Sequence, residues 1–308
     1  MHSIHLRIAD LPFLISGDIL NTGHAVEPAY QPFLSSPIIH PKTEPGETRI
    51  RLLLGEIPRV EKHKRLFDCG ESWSMFQDGA GYCLAIRPLS LKQPAMAATI
   101  SAGFAEAKVY IDRERFNRAK NMDVLSNPVG YPLLQILLIH ILAKRQGALI
   151  HAAGVDINGK GYLFPGKSGA GKSTLSRWFS AREDIALLSD DRIAVRKIDG
   201  AFNAYGTPWP GEARVAENKS APLSGIFFLT QGSENRIRKI KTREVLERLL
   251  PVTSIPWYDR EIVRDMLDFC DDLISRIPTY ELLFKPGVEA AEVVEAYVST
   301  GQEIPLRR

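Results

Sequence analysis

A glycine-rich segment, LFPGKSGAGKSTLSRW (residues 163–178), constrains the fold of this chain more strongly than any other feature. It has the pattern of an apolar strand end, a tight loop and the start of a helix. From Gly166 to Ser173 the loop fits the pattern G-x-x-x-x-G-K-[ST]. Glycines in such a loop permit positive φ and let backbone N–H groups approach an anion closely. The segment therefore predicts a strand–loop–helix unit that binds phosphate groups.

The residues of this loop have separate expected tasks in binding a nucleotide. Lys172 is expected to reach the β- and γ-phosphates of ATP, and the Ser173 hydroxyl is expected to bind Mg²⁺. Thr174 can cap the helix or assist in binding the phosphates. ATP and Mg²⁺ are thus the expected cofactors. The residues expected to line the ATP phosphates are Gly166, Lys167, Ser168, Gly169, Ala170, Gly171, Lys172, Ser173 and Thr174.

Two adjacent aspartates, Asp190 and Asp191, follow the apolar strand IALLS. One carboxylate at such a place can lie on the Mg²⁺ side of a nucleotide site, while the other accepts a proton from an attacking hydroxyl. Asp190 follows Lys172 by only 18 residues, so one short helix separates the loop from the acids. Switch GTPases and transporter ATPases generally place their acidic strand much further along, and neither an LSGGQ-like nor an N-K-x-D motif is present. The alternative interpretation is a solvated turn.

A histidine precedes the loop in the segment LIHAAGV, at position 151. The apolar pattern places His151 on a strand, and we expect that strand to pair with the strand that leads into the loop. The Asn158-Gly159 pair between the two strands predicts a tight hairpin turn. A single histidine on a strand is more often a packed core residue than a catalyst, so both interpretations stay open from the residues alone.

The arrangement HAAGV…GYLFPGKSGAGKST…LLSDD resembles the catalytic domain of HPr kinase/phosphorylase. The same core is similar to the nucleotide domain of ATP-dependent phosphoenolpyruvate carboxykinase. The resemblance covers residues 147–198 strongly and 199–297 loosely. It implies that Asp190 acts as the base towards a serine hydroxyl, that Asp191 lies on the metal side, and that His151 lies near the transferred phosphate. With Lys172, Asp190 and His151 are the catalytic residues that the resemblance implies.

One segment departs from that family. AYGTPWPGEARV, residues 204–215, stands where the bifunctional enzyme carries a signature close to L-E-I-R-G-x-G. A reverse phosphorylase activity is therefore not predicted. Glycines and prolines make a stiff irregular loop, and loops on a rigid scaffold often carry function. Trp209, Glu212 and Arg214 are candidate substrate contacts, with a structural crossover as the alternative.

The remaining patterns indicate a mixed α/β protein. Residues 1–122 predict a β-rich region of unknown role. Residues 123–308 mix strands and helices around the phosphate loop, and the resemblance implies a P-loop domain of the HPr kinase and carboxykinase C-terminal type. The most apolar segment, PLLQILLIHILAKRQG (132–147), predicts a core helix that is too short for a membrane span. The net charge of +3 does not indicate nucleic-acid binding, and three scattered cysteines suggest neither disulfides nor a zinc site. We expect a soluble cytoplasmic protein without a membrane partner.

These patterns together predict an ATP-dependent kinase that transfers the γ-phosphoryl group to a hydroxyl, with Mg²⁺ as cofactor. The expected acceptor is a serine of a peptide or protein, and the resemblance implies that the chain can form a homo-oligomer, although the residues alone do not fix the oligomeric state. Two alternatives stay open. One is a kinase of a small hydroxylated metabolite, and the other is an ATP-binding regulatory module without catalytic activity.

Overall fold

The structure is a computed structural model, and it describes residues 3–17, 27–35, 44–70, 72–87, 94–112, 114, 129–285, 287 and 289–300. The chain divides into two compact units, Met1–Ile141 and Leu142–Arg308. The domain boundary predicted near residue 122 lies outside the described residues and stays a prediction.

The first unit contains one eight-stranded mixed sheet in the order β1-β2-β3-β8-β7-β6-β5-β4. Its strands are β1 (Ser3–Ile8), β2 (Leu11–Gly17), β3 (Thr48–Leu54), β4 (Lys64–Asp68), β5 (Trp73–Asp78), β6 (Gly81–Ile86), β7 (Met96–Ile100) and β8 (Glu106–Ile111). The pairs β2–β3 and β3–β8 are parallel, and the other neighbours are antiparallel. The predicted β-rich N-terminal half is therefore confirmed.

Strand β3 shows why this sheet forms. Ile50 and Leu52 are buried, whereas the alternate residues Arg49 and Arg51 are exposed. Successive side chains of a strand point to opposite faces, so this alternation gives one apolar face and one solvated face. The hairpin between β5 and β6 turns at residues 78–81, where Gly79 has a φ of +57°.

The second unit combines eight strands with helices. Its elements are β9 (Gly147–Ile157), β10 (Lys160–Pro165), β11 (Ile185–Ser189), β12 (Arg192–Ile198), β13 (Ala201–Tyr205), β14 (Ser220–Gln231), β15 (Arg236–Lys239) and β16 (Thr279–Phe284), with helices α2 (Lys172–Ser180), α3 (Thr242–Leu249), α4 (Arg260–Arg276) and α5 (Glu289–Thr300). Helix α1 (Leu133–Lys144) crosses the division between the units. The predicted mixed α/β class is confirmed.

The long strands β9 and β14 shape the sheet of this unit. The first half of β9 pairs with β12, and its second half pairs with β10 and β11. Strand β14 pairs successively with β13, β10 and β16. The strands β10, β9, β12, β13 and β14 consequently close into a ring. The hairpin β9–β10 turns at Asn158 and Gly159 with φ of +54° and +77°, as the sequence predicts.

Helices pack against this sheet through two apolar clusters. One contains Leu249 of α3 and Met266 of α4, packed with residues of β9, β12 and β14. The other contains Phe179 of α2 and Val294 of α5, packed with residues of β10 and β16. Burial of these apolar faces is the main favourable contribution to this architecture.

Three strands, β4, β13 and β15, were not indicated by the sequence patterns. They have only four or five residues each, and β15 reads RIRK, which lacks an apolar run. Pairing with β16 orders β15 despite its polar composition. Among the described residues, no helix is long and apolar enough to cross a membrane.

A buried carboxylate, Glu281 on β16, connects several elements of this unit. It accepts hydrogen bonds from Thr230 at the end of β14, from Arg248 of α3 and from Arg238 of β15. Burial raises the pKa of Glu281, but these hydrogen bonds and the arginine charge hold that pKa below its usual value of 4.5. A depressed carboxyl pKa stabilises the fold above pH 4.5, and that stabilisation is lost as the pH falls through the folded-state pKa.

We expect Glu281→Gln to lower the free energy of unfolding at pH 7 by about 2 kcal/mol, because it weakens charged hydrogen bonds. The loss of stability on acidification below pH 4.5 is expected to become shallower in this variant. Urea unfolding at several pH values measures both effects. Glu247→Gln is the matched control, since Glu247 pairs with Arg243 on an exposed surface. Equal acid sensitivity in Glu281→Gln and the wild type would contradict this assignment.

Candidate active site

The glycine-rich loop (residues 166–171) lies between β10 and α2, as its sequence predicts. Gly169 and Gly171 have φ of +80° and +105°, and residues with a Cβ rarely adopt such positive values. Helix α2 begins at Lys172, and the amides of its first turn have no carbonyl of their own helix to bond. The backbone at this junction can therefore donate to an anion.

Contacts from two neighbouring strands hold the loop in place. The Gln231 side chain, at the end of β14, donates to the Gly169 carbonyl over 3.0 Å. Gly171 lies against the buried ring of Phe284 at the end of β16, where an added Cβ would approach the ring to 2.3 Å. The loop conformation thus depends on the ends of β14 and β16, which lie far along the sequence.

These contacts predict a difference between two glycine variants. Gly171→Ala meets both a left-handed φ and the Phe284 ring, so we expect a loss of roughly 2–4 kcal/mol in the free energy of unfolding. Gly169→Ala meets only the backbone strain, since nothing lies within 4 Å of its added Cβ, and should cost about 1 kcal/mol. Thermal unfolding of both variants measures the difference, and equal losses would contradict it.

Lys172 turns back onto its own loop. Its Nζ donates to the carbonyls of Gly166 and Lys167 over 2.8 and 3.2 Å. Burial lowers the pKa of this lysine, and the carboxylates of Asp191 and Asp190 act against that effect. The ammonium group is therefore buried at the loop and lies within electrostatic reach of both acids.

Asp190 is buried and anchors the segment 206–215, which runs from the end of β13. Its carboxylate accepts hydrogen bonds from the backbone amides of Gly211, Ala213 and Val215 over 2.8, 2.6 and 3.2 Å. The side chain is only 1% exposed. Both of its oxygens are engaged with this segment, a role that the sequence did not indicate.

Asp191 lies in a different environment from its neighbour. One of its oxygens is 2.8 Å from Nε2 of His151, and the other is 3.5 Å from Nε of Arg192. Burial raises the pKa of Asp191, but the His151 hydrogen bond and the charges of Arg192 and Lys172 hold that pKa below its usual value. The Asp191 side chain keeps 28% exposure. It is therefore an ionised and accessible carboxylate.

The backbone around His151 joins the loop to the acids. The His151 carbonyl accepts from the Gly166 amide over 3.3 Å, and the Ala152 amide donates to the Asp191 carbonyl over 3.0 Å. Strand β9 thus lies between the glycine-rich loop and the acid pair. This arrangement brings together His151, Lys172 and Asp191, three of the predicted site residues.

The segment 206–215 crosses close to the acid strand. An added Cβ at Gly206 would approach the Leu188 carbonyl to 2.4 Å, so only glycine fits this crossing. Glu212 is exposed and lies within electrostatic reach of Lys172. Arg214 is exposed with a φ of +57°, and Trp209 is half-buried. The segment therefore lies near the loop lysine and presents two charged side chains to solvent.

The remaining predicted loop residues are accessible. Lys167, Ser168 and Gly169 are exposed, and Gly166, Ala170, Ser173 and Thr174 are half-buried. Two further residues of the site were not predicted, namely Arg192 beside Asp191 and Gln231 on the loop. Arg192 could have been found because it directly follows the acid pair, whereas no local signal marks Gln231.

No protein-family model matches the sequence, and no curated protein matches it. Among solved structures, the chain is similar to the Hpr(Ser) kinase/phosphatase from Coxiella burnetii. That match has 15% sequence identity and a TM-score of 0.30, and it covers 50% of this chain and 89% of the other. A similarity at this level carries no functional inference, so function has to be inferred from the site geometry.

Proposed function

We propose that this protein is an ATP-dependent phosphotransferase that transfers the γ-phosphoryl group of ATP to a hydroxyl. The observation that supports the proposal most is the placement of Lys172, in a glycine-rich strand–helix loop, within electrostatic reach of an accessible acid that pairs with His151. Phosphoryl transfer needs little covalent help from a protein. It needs positioning, positive charge and a proton acceptor, and these residues supply all of them.

The phosphates would lie on the glycine-rich loop and the first turn of α2, residues 166–174. Amides there and the helix dipole favour negative charge. The Lys172 ammonium, which now bonds two loop carbonyls, would donate to phosphate oxygens instead. Ser173 and Asp191 offer hard oxygen ligands suited to Mg²⁺, an ion that offsets charge on the β- and γ-phosphates.

In the proposed step, the acceptor oxygen forms a bond to the γ-phosphorus while the bond to the β–γ bridging oxygen breaks. ADP leaves, and the hydroxyl proton passes to a carboxylate. Lys172 and the loop amides stabilise the charge that develops on the leaving oxygens. His151 orients Asp191 through its 2.8 Å contact and would lie next to the reacting groups.

The two aspartates are not equivalent candidates for the proton acceptor. The family resemblance implies Asp190, yet its oxygens already accept from the backbone of the segment 206–215. Asp191 keeps exposure to solvent and faces the loop lysine electrostatically. We therefore propose that Asp190 positions this segment, and that Asp191 serves the metal or the acceptor hydroxyl.

We propose a serine of a peptide or protein as the acceptor, with the segment 206–215 as its contact surface. Trp209 offers an apolar wall, and Glu212 and Arg214 offer exposed charges. Such a surface suits an extended chain better than a small metabolite, which would be enclosed in a concave pocket. A small-molecule kinase and a non-catalytic ATP-binding module are the competing functions.

The test uses the full chain with ATP, Mg²⁺ and a candidate acceptor, chosen as a peptide or carrier protein encoded beside this gene. We expect ADP release that depends on the acceptor, and a mass gain of one phosphoryl group on a serine. Transfer to free serine but to no peptide would favour the small-molecule kinase. Tight ATP binding without acceptor-dependent ADP release would favour the binding module and reject transfer.

A further inference from the structure

Three side chains with metal-binding chemistry meet in the first unit, and none of them belongs to the candidate active site. His63 follows a short 3-10 helix (Val60–Lys62), Asp78 ends β5, and Cys83 lies on β6. Nδ1 of His63 is 3.5 Å from one Asp78 oxygen, and the Cys83 sulfur is 3.4 Å from the other. All the potential ligand atoms lie within 4.8 Å of one another.

The hairpin β5–β6 and the helical turn create this meeting. Phe76 pairs with Cys83, and Asp78 pairs with Gly81, so Asp78 and Cys83 project from the same face of the hairpin. Val60 packs into the apolar cluster that contains Phe76 and Cys83, which brings the turn and the following His63 onto that face. Strand pairing and core packing therefore fix the backbone positions of His63, Asp78 and Cys83 relative to one another.

We propose that His63, Asp78 and Cys83 bind one Zn²⁺ ion, with a water molecule as the fourth ligand. With metal–ligand distances of about 2.0–2.3 Å and tetrahedral angles, neighbouring ligand atoms lie roughly 3.3–3.7 Å apart. The Cys83 and His63 contacts of 3.4 and 3.5 Å involve different oxygens of Asp78. One ligand atom from each of the three residues lies within 4.8 Å of the others, so a small rotation of the partly exposed His63 and Asp78 side chains would bring the set to that spacing. A mixed sulfur, nitrogen and oxygen set suits Zn²⁺ better than Mg²⁺ or Ca²⁺, which prefer oxygen alone.

A cysteine-nucleophile site fits these residues less well. The Asp78 carboxylate bridges the thiol and the imidazole, and the Cys83 side chain is only 1% exposed, so it presents no nucleophile to substrate. His63 and Asp78 keep 21% and 43% side-chain exposure, which leaves an ion a path from solvent. The nearby Lys62 charge opposes a cation, but this side chain is exposed to water, which screens it.

Cobalt provides the test, because a Co²⁺–thiolate bond has a near-ultraviolet charge-transfer band that oxygen and nitrogen ligands do not produce. The full chain is stripped with chelator and titrated with Co²⁺ alone. We expect one thiolate-bound Co²⁺ per chain and displacement of the band by Zn²⁺. Zn²⁺ should also raise the unfolding temperature of the wild type, since it binds the folded state.

Variants locate the site. Cys83→Ser should lose the band, and His63→Gln should weaken Co²⁺ binding at least tenfold with the fold intact, because His63 is partly exposed. Cys69→Ser and Cys270→Ser are matched controls that keep the band, since these free cysteines lie elsewhere. Absence of the band in the wild type, its persistence in Cys83→Ser, or unchanged affinity in His63→Gln would overturn the zinc site. None of these outcomes bears on the phosphotransferase proposal.

Discussion

Asp191→Asn is expected to lower acceptor-dependent ADP release by about 10³-fold, while the unfolding temperature changes little. Asp191 is ionised and accessible, and it faces both Lys172 and His151. Asparagine keeps the shape but can neither accept a proton nor hold a divalent cation with full charge, and loss of a general base costs roughly 10²–10⁴-fold. Steady-state ADP release with a saturating acceptor measures the effect.

The control for this change is Asp199→Asn, at the turn between β12 and β13. Asp199 has a φ of +50°, which asparagine tolerates equally well, so neither activity nor stability should change. Full activity in Asp191→Asn would remove this residue from the chemistry. Turnover that is low at ordinary Mg²⁺ concentration but returns to normal at a higher one would restrict its role to the metal.

Asp190→Asn separates the roles of the two acids. Its carboxylate accepts three backbone hydrogen bonds, from Gly211 and Val215 at one oxygen and from Ala213 at the other. Asparagine keeps one accepting oxygen, but its amide nitrogen cannot accept, so at least one of these bonds is lost. We expect a loss of about 2 kcal/mol in unfolding free energy and faster hydrogen exchange in residues 211–215. A variant with unchanged exchange and stability that still loses transfer would identify Asp190 as the base.

Lys172→Ala is the second change with a large expected effect, a loss of about 10²–10³-fold in ATP turnover. Lys172 is the buried cation of this site, and in the proposed reaction its removal would leave developing charge on the leaving oxygens less balanced. We also expect weaker ATP binding, because a charge-assisted contact is lost in a buried position. Isothermal titration with ATP and Mg²⁺ measures binding, and ADP release measures turnover.

Lys219→Ala is the matched control, since Lys219 is exposed and pairs only with Glu217 among the ion pairs of the described residues. Its binding and turnover should equal those of the wild type. Unchanged turnover in Lys172→Ala would reject the assignment of the glycine-rich loop to ATP. Preserved binding with lost turnover would instead place Lys172 in transition-state stabilisation only.

Local patterns predicted much of the second unit. The Asn158-Gly159 turn, the loop between β10 and α2, and the acids between β11 and β12 all lie where the sequence places them. Each depends on interactions between residues close in sequence, such as turn geometry, strand periodicity and positive φ at glycine. Short polar strands such as β15 were not predicted, because only pairing with a distant partner strand orders them.

The sequence by itself determined the chemical groups of this protein: a glycine-rich loop with its lysine, an acid pair, and a histidine on a neighbouring strand. The tertiary structure alone decided which of these groups meet. In the folded chain, Asp190 accepts hydrogen bonds from the segment 206–215, whereas Asp191 contacts His151 and lies within electrostatic reach of Lys172. The fold also brings His63 close to Asp78 and Cys83. The physical reason is that residue type and spacing set local backbone geometry, whereas contacts between distant segments depend on strand register and core packing.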